Sequence, residues 1–267
     1  MRRAITRTGI FVFACVTVLG QAVESNPSFE VASVKPTSPD RQNGPHQLNC
    51  TGGAGFVARD ETLLHLIEWA YDWPRPHDTN LVLNGPKWMD SPGSAFEVQG
   101  KVGRKVSSNE CRLMVQSLLA SRFKVALHRE IKELPVYVLS VGSKGPKLHE
   151  ADEDPKVLSS VTLNGAQIQV GDGYSTTASG RGMSMRELAR FLTGLPVVGR
   201  PVVDKTGLTG FYGFSLDFAW TPAETLSEDS RPDIFAALQE QLGLKLESSK
   251  GPVEVLIIDH AEKPSEN

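Results

Sequence analysis

The chain has 267 residues, of which 40% are hydrophobic and 22% are charged, and its formal net charge is −3. This composition is typical of a folded globular protein and excludes an intrinsically disordered chain, which would combine low hydrophobicity with high net charge. The acidic balance also argues against binding to nucleic acid or anionic lipid, because both require an excess of basic side chains.

The N-terminus has the pattern of a secretory signal peptide. Three arginines precede an apolar run over residues 9–19, which is too short to span a bilayer, and a small-x-Ala cleavage site ends at Ala22. We therefore predict a signal peptide over residues 1–22 and an exported protein, periplasmic or extracellular, without a transmembrane segment after cleavage. An uncleaved N-terminal anchor and lipidation at Cys15 are the alternatives.

The mature chain would keep two cysteines, Cys50 and Cys111. An exported protein meets an oxidising compartment, so the pair could form a disulfide. Their separation in sequence is also compatible with two buried thiols, and both interpretations stay open.

In the first half, the spacing of apolar residues predicts alternating strands and helices. The predicted elements are strands over 29–35, 56–58, 95–100, 123–129 and 136–141, a helix capped by Thr62, and a helix from Asn109 with Leu113, Met114 and Leu118 inward. Polar and turn-forming residues predict a loop over 37–54 and a turn at 133–135.

A polar segment over 143–158 is predicted to be a linker or a long surface loop. The second half then predicts strands over 167–170, 211–218, 244–247 and 253–258, helices capped by Ser184 and Asp233, and a turn-rich segment over 199–207.

Short motifs of the two halves match in the same order. Three residues recur at one constant offset: Gly85, Asp90 and Gly93 as Gly199, Asp204 and Gly207. Residues 135–139 similarly match residues 252–256. We therefore predict an α+β fold of two pseudo-repeated βαββαββ units, over 23–142 and 159–267, with mainly antiparallel sheets, against the alternative of chance similarity.

Catalytic motifs are absent or poorly placed. Ser121 and Lys124 spell the Ser-x-x-Lys of penicillin-binding enzymes, and residues 205–207 spell their Lys-Thr-Gly. That chemistry requires the first pair on one helix face and the second motif on a strand, whereas a helix end and a turn are predicted here. The histidines are scattered singly, so we predict no metal and no cofactor, and the catalytic residues, if there are any, are unknown.

Two groups of residues are candidates for ligand binding. They are the aromatic residues Trp69, Tyr71, Trp73 and Trp88, and the turn residues Arg200, Asp204, Lys205 and Thr206. Aromatic side chains near a helix end can line grooves for sugars or peptides. They also pack into hydrophobic cores, and the sequence favours this second role. Asp, Thr and Gly likewise form a tight turn without any ligand.

Five stretches of the chain are similar to a known family. They are residues 29–36, 118–124, 199–210, 240–246 and 258–267. Together they resemble a family of secreted acidobacterial proteins classed as a domain of unknown function, whose members are sometimes fused to BlaR-type membrane metallopeptidases. The resemblance implies a sensing or interaction module, and it supplies no catalytic residues. Ser121 stands where the family pattern usually has Asp.

Export, a duplicated fold and the missing catalytic motif together favour a non-catalytic binding or interaction module of the cell envelope. Its partner would be an envelope protein, a peptide or a glycan. A hydrolase of envelope polymers that uses carboxylates is the alternative, and a subunit of an envelope complex is a third hypothesis.

Overall fold

The computed structural model describes residues 27–38, 46–51, 55–76, 79–150, 160–170, 173–219 and 232–264, with the backbone alone for 160–170 and 173–181. The predicted signal peptide, including Cys15, lies outside the described residues. Within these residues, no helix combines the length and the apolar character needed to cross a membrane.

The first half has six described strands and two helices. They are β1 (Val31–Pro36), β2 (Gln47–Thr51), β3 (Gly55–Thr62), α1 (Leu63–Ala70), β4 (Val82–Leu83), β5 (Ala95–Lys101), α2 (Ser108–Arg122) and β6 (Ala126–Val141). Thr62 caps α1 as predicted, because its hydroxyl accepts a hydrogen bond from the backbone N–H of His65. Ser107 caps α2 in the same way, so this helix begins one residue before the predicted start.

The second half has the same number of described elements. They are β7 (His149–Glu150), β8 (Ser160–Val170), β9 (Gly173–Met183), α3 (Met185–Thr193), β10 (Val202–Asp204), β11 (Tyr212–Ala219), α4 (Ile234–Ala237) and β12 (Leu244–His260). A π-helical turn over Leu238–Leu242 continues α4, and Gly243 ends it with a φ of 66°. Ser184 and Asp233 cap α3 and α4 as predicted.

The described strands form three four-stranded sheets, ordered β1-β5-β3-β2, β10-β6-β12-β4 and β7-β11-β9-β8. Their neighbours pair antiparallel, except that β10 pairs parallel with β6 and β4 pairs parallel with β12. The predicted α+β class with mainly antiparallel sheets is confirmed.

The central sheet interleaves the two halves. The long strands β6 and β12 pair with each other, while β10 of the second half pairs with β6 and β4 of the first half pairs with β12. The two main cores follow the same exchange, because Leu256 of β12 is buried in the first-half core and Leu139 of β6 in the second-half core. Each half therefore completes its core with a strand of the other half.

The predicted βαββαββ plan is wrong at the end of each half. The two strands predicted after α2 are one continuous strand, β6, and the two predicted after α4 are one strand, β12. The observed order in each half, counted from β3 and from β9, is βαββαβ. The proposal that this recurrence is a structural repeat stays a prediction, as do the domain boundaries.

Pro135 and Pro252 explain why the strands continue through the predicted turns. N–H groups two residues apart in a strand point to the same side, and the N–H of Tyr137 donates to Pro201 on β10's side. The nitrogen of Pro135 faces that side before β10 begins to pair. Pro252 lies before the part of β12 that pairs with the short strand β4. The N–H of Leu256 faces β4, and the nitrogen of Pro252, four residues earlier, faces the same side. Neither proline therefore removes a ladder hydrogen bond.

Three short strands lie in segments that were predicted to be loops or turns. β2 lies in the predicted loop 37–54, β7 in the predicted linker 143–158 and β10 in the turn-rich segment 199–207. β7 and β10 have two and three residues, too few to show an alternating pattern, and β2 is mostly polar. Leu113, predicted inward on α2, is instead 47% exposed.

Candidate functional site

A cleft of about 800 Å³ lies between the two halves and is hereafter the central cleft. The first half contributes the turn after α1, from Tyr71 to Pro74, and part of β6. The second half contributes one face of α3, the strand β10 and residues 252–254 of β12. Both halves are therefore needed to form this cleft.

The turn after α1 brings two aromatic residues to the central cleft. Asp72 adopts a φ of 51°, and the backbone N–H of Trp73 donates to the carbonyl oxygen of Glu68 over 2.7 Å. Asp tolerates this left-handed conformation better than most residues. The turn is thereby folded back on the helix, and Tyr71 and Trp73 line the cleft.

Helix α3 presents two arginines to the central cleft. Its capping box joins Ser184 and Glu187, with the N–H of Ser184 donating to Glu187 Oε2 over 2.8 Å. Leu188 is fully buried on the inner face. Arg186 and Arg190, one helical turn apart, line the cleft from the outer face.

Ion pairs occupy two of the three arginines in the central cleft. Arg190 lies 2.7 Å from Asp72, and Arg129 lies 3.2 Å from Glu254. Arg129 also stacks over the ring of Trp73, 5.2 Å from its centroid. Arg186 is exposed and forms no ion pair or hydrogen bond with any residue that the structure describes.

The rest of the central cleft is largely aliphatic. Ile131 of β6 is 70% exposed, and Pro201, Pro252 and Val253 also line the cleft. An exposed isoleucine within a concave site gives a ligand apolar surface to cover. The cleft therefore combines an apolar lining with a free guanidinium.

A second cavity of about 330 Å³ adjoins the central cleft and is hereafter the side pocket. Asp72 and Trp73 line both cavities. The other polar residues of the side pocket are His65, Glu68, Arg75 and Arg112. Arg112 stacks over Trp69 at 4.9 Å and lies 2.9 Å from Asp72.

Glu68 is the most perturbed carboxyl group of the site. Its side chain is only 10% exposed, and this burial raises the pKa of Glu68 to about 7. Arg75, 3.3 Å away, and His65 oppose the increase in pKa, while the charge of Asp90 adds to it. Burial also raises the pKa of Tyr71, against the influence of Arg129.

His65 is oriented by a buried carboxylate. Its Nδ1 lies 3.0 Å from Glu61 Oε2, and Glu61 is buried at the end of β3. A third cavity of about 350 Å³ is lined by His65, Glu68, Arg75 and Asp90, so the first three residues belong to both this cavity and the side pocket.

The structure brings some of the predicted ligand-binding residues together and separates others. Tyr71, Trp73 and Asp204 line the central cleft, and Trp69 lines the side pocket. Trp88 lies elsewhere, edge-on to Phe96.

The remaining predicted residues have structural contacts. Arg200 stacks over Tyr137, 5.5 Å from its centroid. Asp204 Oδ1 accepts hydrogen bonds from both the N–H and the hydroxyl of Thr206. Lys205 donates its backbone N–H to Leu139. Asp204 and Thr206 thus form a tight turn without any ligand, which was the alternative to a ligand-binding role.

The arginines of the central cleft and Glu68 were not among the predicted site residues. The one available signal was the spacing of Arg186 and Arg190, which places both on the polar face of an amphipathic helix. Nothing in the sequence marks Glu68 as buried, because a glutamate is usually exposed, whereas six of the eight residues of α1 are buried in the structure.

Cys50 and Cys111 form a disulfide that joins β2 to α2, with their Cα atoms 6.5 Å apart. The structure thus contains the disulfide and not the two buried thiols that the sequence also allowed. Among the described residues, no group of three or more His, Cys, Asp or Glu side chains is placed to hold a metal ion.

Comparisons with known proteins identify a family and no function. No curated protein and no solved structure matches the chain. A family model described as "Protein of unknown function (DUF3738)" matches residues 64–261. This match covers all four described helices except the first residue of α1, and it covers the whole lining of the central cleft. It confirms the resemblance to a domain of unknown function, while the acidobacterial origin and the BlaR-type fusion stay predictions. The chain therefore belongs to the family of proteins of unknown function DUF3738.

Proposed function

We propose that this chain is a binding module of the cell envelope whose ligand carries an anionic group and lies in the central cleft. The observation that carries the proposal is Arg186, a guanidinium in a large cleft without an anionic partner among the described residues. A carboxylate or phosphate of a ligand would form the charge-assisted, bidentate hydrogen bonds that this group favours.

The distribution of charge supports an anionic ligand. The chain as a whole is acidic, whereas the linings of the central cleft and the side pocket together contain five arginines and no lysine against four carboxyl groups, namely Glu68, Asp72, Asp204 and Glu254. Arginine is preferred over lysine where planar anions are recognised bidentately. The concave, partly apolar walls would strengthen the attraction by lowering the local dielectric constant.

The test is binding of anionic ligands to the chain without residues 1–22. Titration calorimetry and thermal shifts would be measured with carboxylate-bearing peptides, peptidoglycan fragments and acidic oligosaccharides. Arg186→Ala should weaken binding about tenfold or more, because a hydrogen bond to a charged group contributes about 1.5–3 kcal/mol. Arg59→Ala is the matched control, since Arg59 is an exposed arginine that does not line the cleft. Equal affinities of both variants and the wild type would refute the proposal.

The location in the envelope rests on the N-terminal pattern. Expression of the full chain in a bacterial host should release a product that begins at Val23 into the periplasm or medium, as N-terminal sequencing would show. A cytosolic product with an intact N-terminus would contradict export.

Hydrolysis of an envelope polymer is the second candidate function, supported by the third cavity. It holds two carboxyl groups, Glu68 and Asp90, and the pKa of Glu68 near 7 suits a proton donor at neutral pH. Asp90 would then accept a proton from the attacking water. Release of reducing ends or amines from peptidoglycan by the wild type, lost in Glu68→Gln, would support this function. Activity that survives in Glu68→Gln would exclude it.

A further inference from the structure

We infer that the ligand is an extended acidic peptide that places one carboxylate at Arg186 in the central cleft and a second at Arg75 in the side pocket. This inference rests on the proposed function. It adds the chemical class of the ligand and the two cavities that the ligand spans.

The two cavities form one path for a chain molecule. Asp72 and Trp73 line both the central cleft and the side pocket, so the cavities meet at these two residues. The central cleft alone, at about 800 Å³, lies in the upper part of the range of small-molecule sites. A ligand that fills both cavities must therefore be extended and must cross the turn that carries Trp73.

The side pocket holds two arginines, Arg75 and Arg112, and two carboxyl groups, Asp72 and Glu68. The carboxylate of Asp72 is shared between Arg112, at 2.9 Å, and Arg190, at 2.7 Å. One carboxylate thus neutralises two guanidiniums. The remaining anionic partner in the pocket is Glu68, which contacts Arg75, and burial favours its neutral form. Arg75, 57% exposed, is accordingly accessible to a second carboxylate of the ligand.

The lining of the cavities favours a peptide over a glycan. Sugars stack on open aromatic faces, but Arg129 covers a face of Trp73 and Arg112 covers a face of Trp69. The other ring neighbour of Trp69 is Phe56, 4.9 Å away between centroids. The large apolar side chain that the cleft exposes is instead aliphatic, Ile131, and suits the aliphatic side chains of a peptide.

The experiment compares three ligand series by titration calorimetry on the chain without residues 1–22. The first series consists of peptides with two glutamates separated by aliphatic spacers of increasing length. The second replaces one glutamate with glutamine, and the third is a set of oligogalacturonates, which carry carboxylates on a sugar chain. At one spacer length, the di-acidic peptide should bind about tenfold tighter than either mono-acidic peptide.

Variants assign each carboxylate to its arginine. Arg75→Gln should remove the advantage of the di-acidic peptide and weaken only the mono-acidic peptide that keeps the glutamate for Arg75. Arg186→Ala should weaken the di-acidic peptide and the mono-acidic peptide that keeps the glutamate for Arg186, and Arg59→Ala should weaken none. Circular dichroism and thermal melts of each variant would show that the fold is retained.

Several outcomes would overturn the inference. They are equal affinity of mono- and di-acidic peptides, no selective effect of Arg75→Gln, tighter binding of the oligogalacturonates, or no binding of any peptide. If Arg186→Ala still weakens an anionic ligand in these cases, the proposed function stands and only the peptide inference fails. If Arg186→Ala affects no ligand, the proposed function fails as well.

Discussion

Replacing Glu68 with glutamine tests whether burial sets the ionisation of this carboxyl group. Its pKa is raised from 4.5 to about 7 in the folded chain. An ordinary glutamate in the unfolded chain titrates at about 4.3–4.5. Between these two values the folded state binds more protons than the unfolded state. The free energy of unfolding should therefore fall as the pH rises through this window.

The magnitude follows from the two pKa values. A shift from 4.5 to about 7 corresponds to about 3 kcal/mol in full, most of which is lost between pH 5 and pH 8. Glutamine has no charge to bury. The stability difference between the wild type and Glu68→Gln should accordingly change by about 2–3 kcal/mol over this range, to the disadvantage of the wild type at pH 8.

Urea denaturation at a series of pH values would measure this difference. Subtracting the two pH profiles removes the contributions of groups that titrate alike in both proteins. Arg75→Gln is the informative second variant: Arg75 lowers the pKa of Glu68, so its loss should move the inflection to higher pH. A difference that stays flat from pH 5 to pH 8 would refute the assignment of a raised pKa to Glu68.

Three further predictions concern stability. Reduction of the disulfide, or Cys50→Ser with Cys111→Ser, should lower the free energy of unfolding by about 4 kcal/mol, because the bond spans 61 residues of sequence; an unchanged urea midpoint would contradict this. Gly243→Ala should prevent or severely impair folding, since its Cβ would clash with the backbone oxygen of Gly145, whereas Gly207→Ala, with a similar positive φ and open space, should cost only about 1 kcal/mol. Comparable thermal melts of the two alanine variants would show this steric reasoning to be wrong. Ser184→Ala should destabilise the chain by about 1 kcal/mol through loss of the cap of α3, and a midpoint equal to that of the wild type would argue that the cap is dispensable.

The starts of the helices and the α+β fold class could be predicted from the sequence because they depend on interactions between residues close along the chain. Thr62, Ser184 and Asp233 each cap the helix that follows, since a side-chain oxygen close in sequence satisfies the first free N–H groups. The alternation of apolar residues likewise placed β5 and β11 within one or two residues of their observed bounds.

The short edge strands and the long central strands could not be predicted. β4, β7 and β10 have only two or three residues each, and they are strands because a partner lies beside them. Pro135 and Pro252 are typical of turns, and only the unpaired side of the ladder makes them compatible with β6 and β12.

The candidate site depends on tertiary structure for the same reason. Tyr71 and Trp73 were candidates because aromatic residues cluster after α1. The spacing of Arg186 and Arg190 indicates only a polar helix face, and Glu68 carries no local sign of its burial. Arg186 became a candidate because the packing of α3 places it in a cleft without an anionic partner among the described residues. Glu68 became one because burial, a property of the whole fold, changes its pKa.

The sequence by itself determined the local elements, namely the helix caps, the amphipathic helices and the α+β composition, since these arise from interactions between residues close along the chain. Only the tertiary structure decided the exchange of strands between the halves, the cleft that this exchange creates and the charges that face it. Burial and ion pairing join residues far apart in sequence, so their energies are fixed when the two halves pack together.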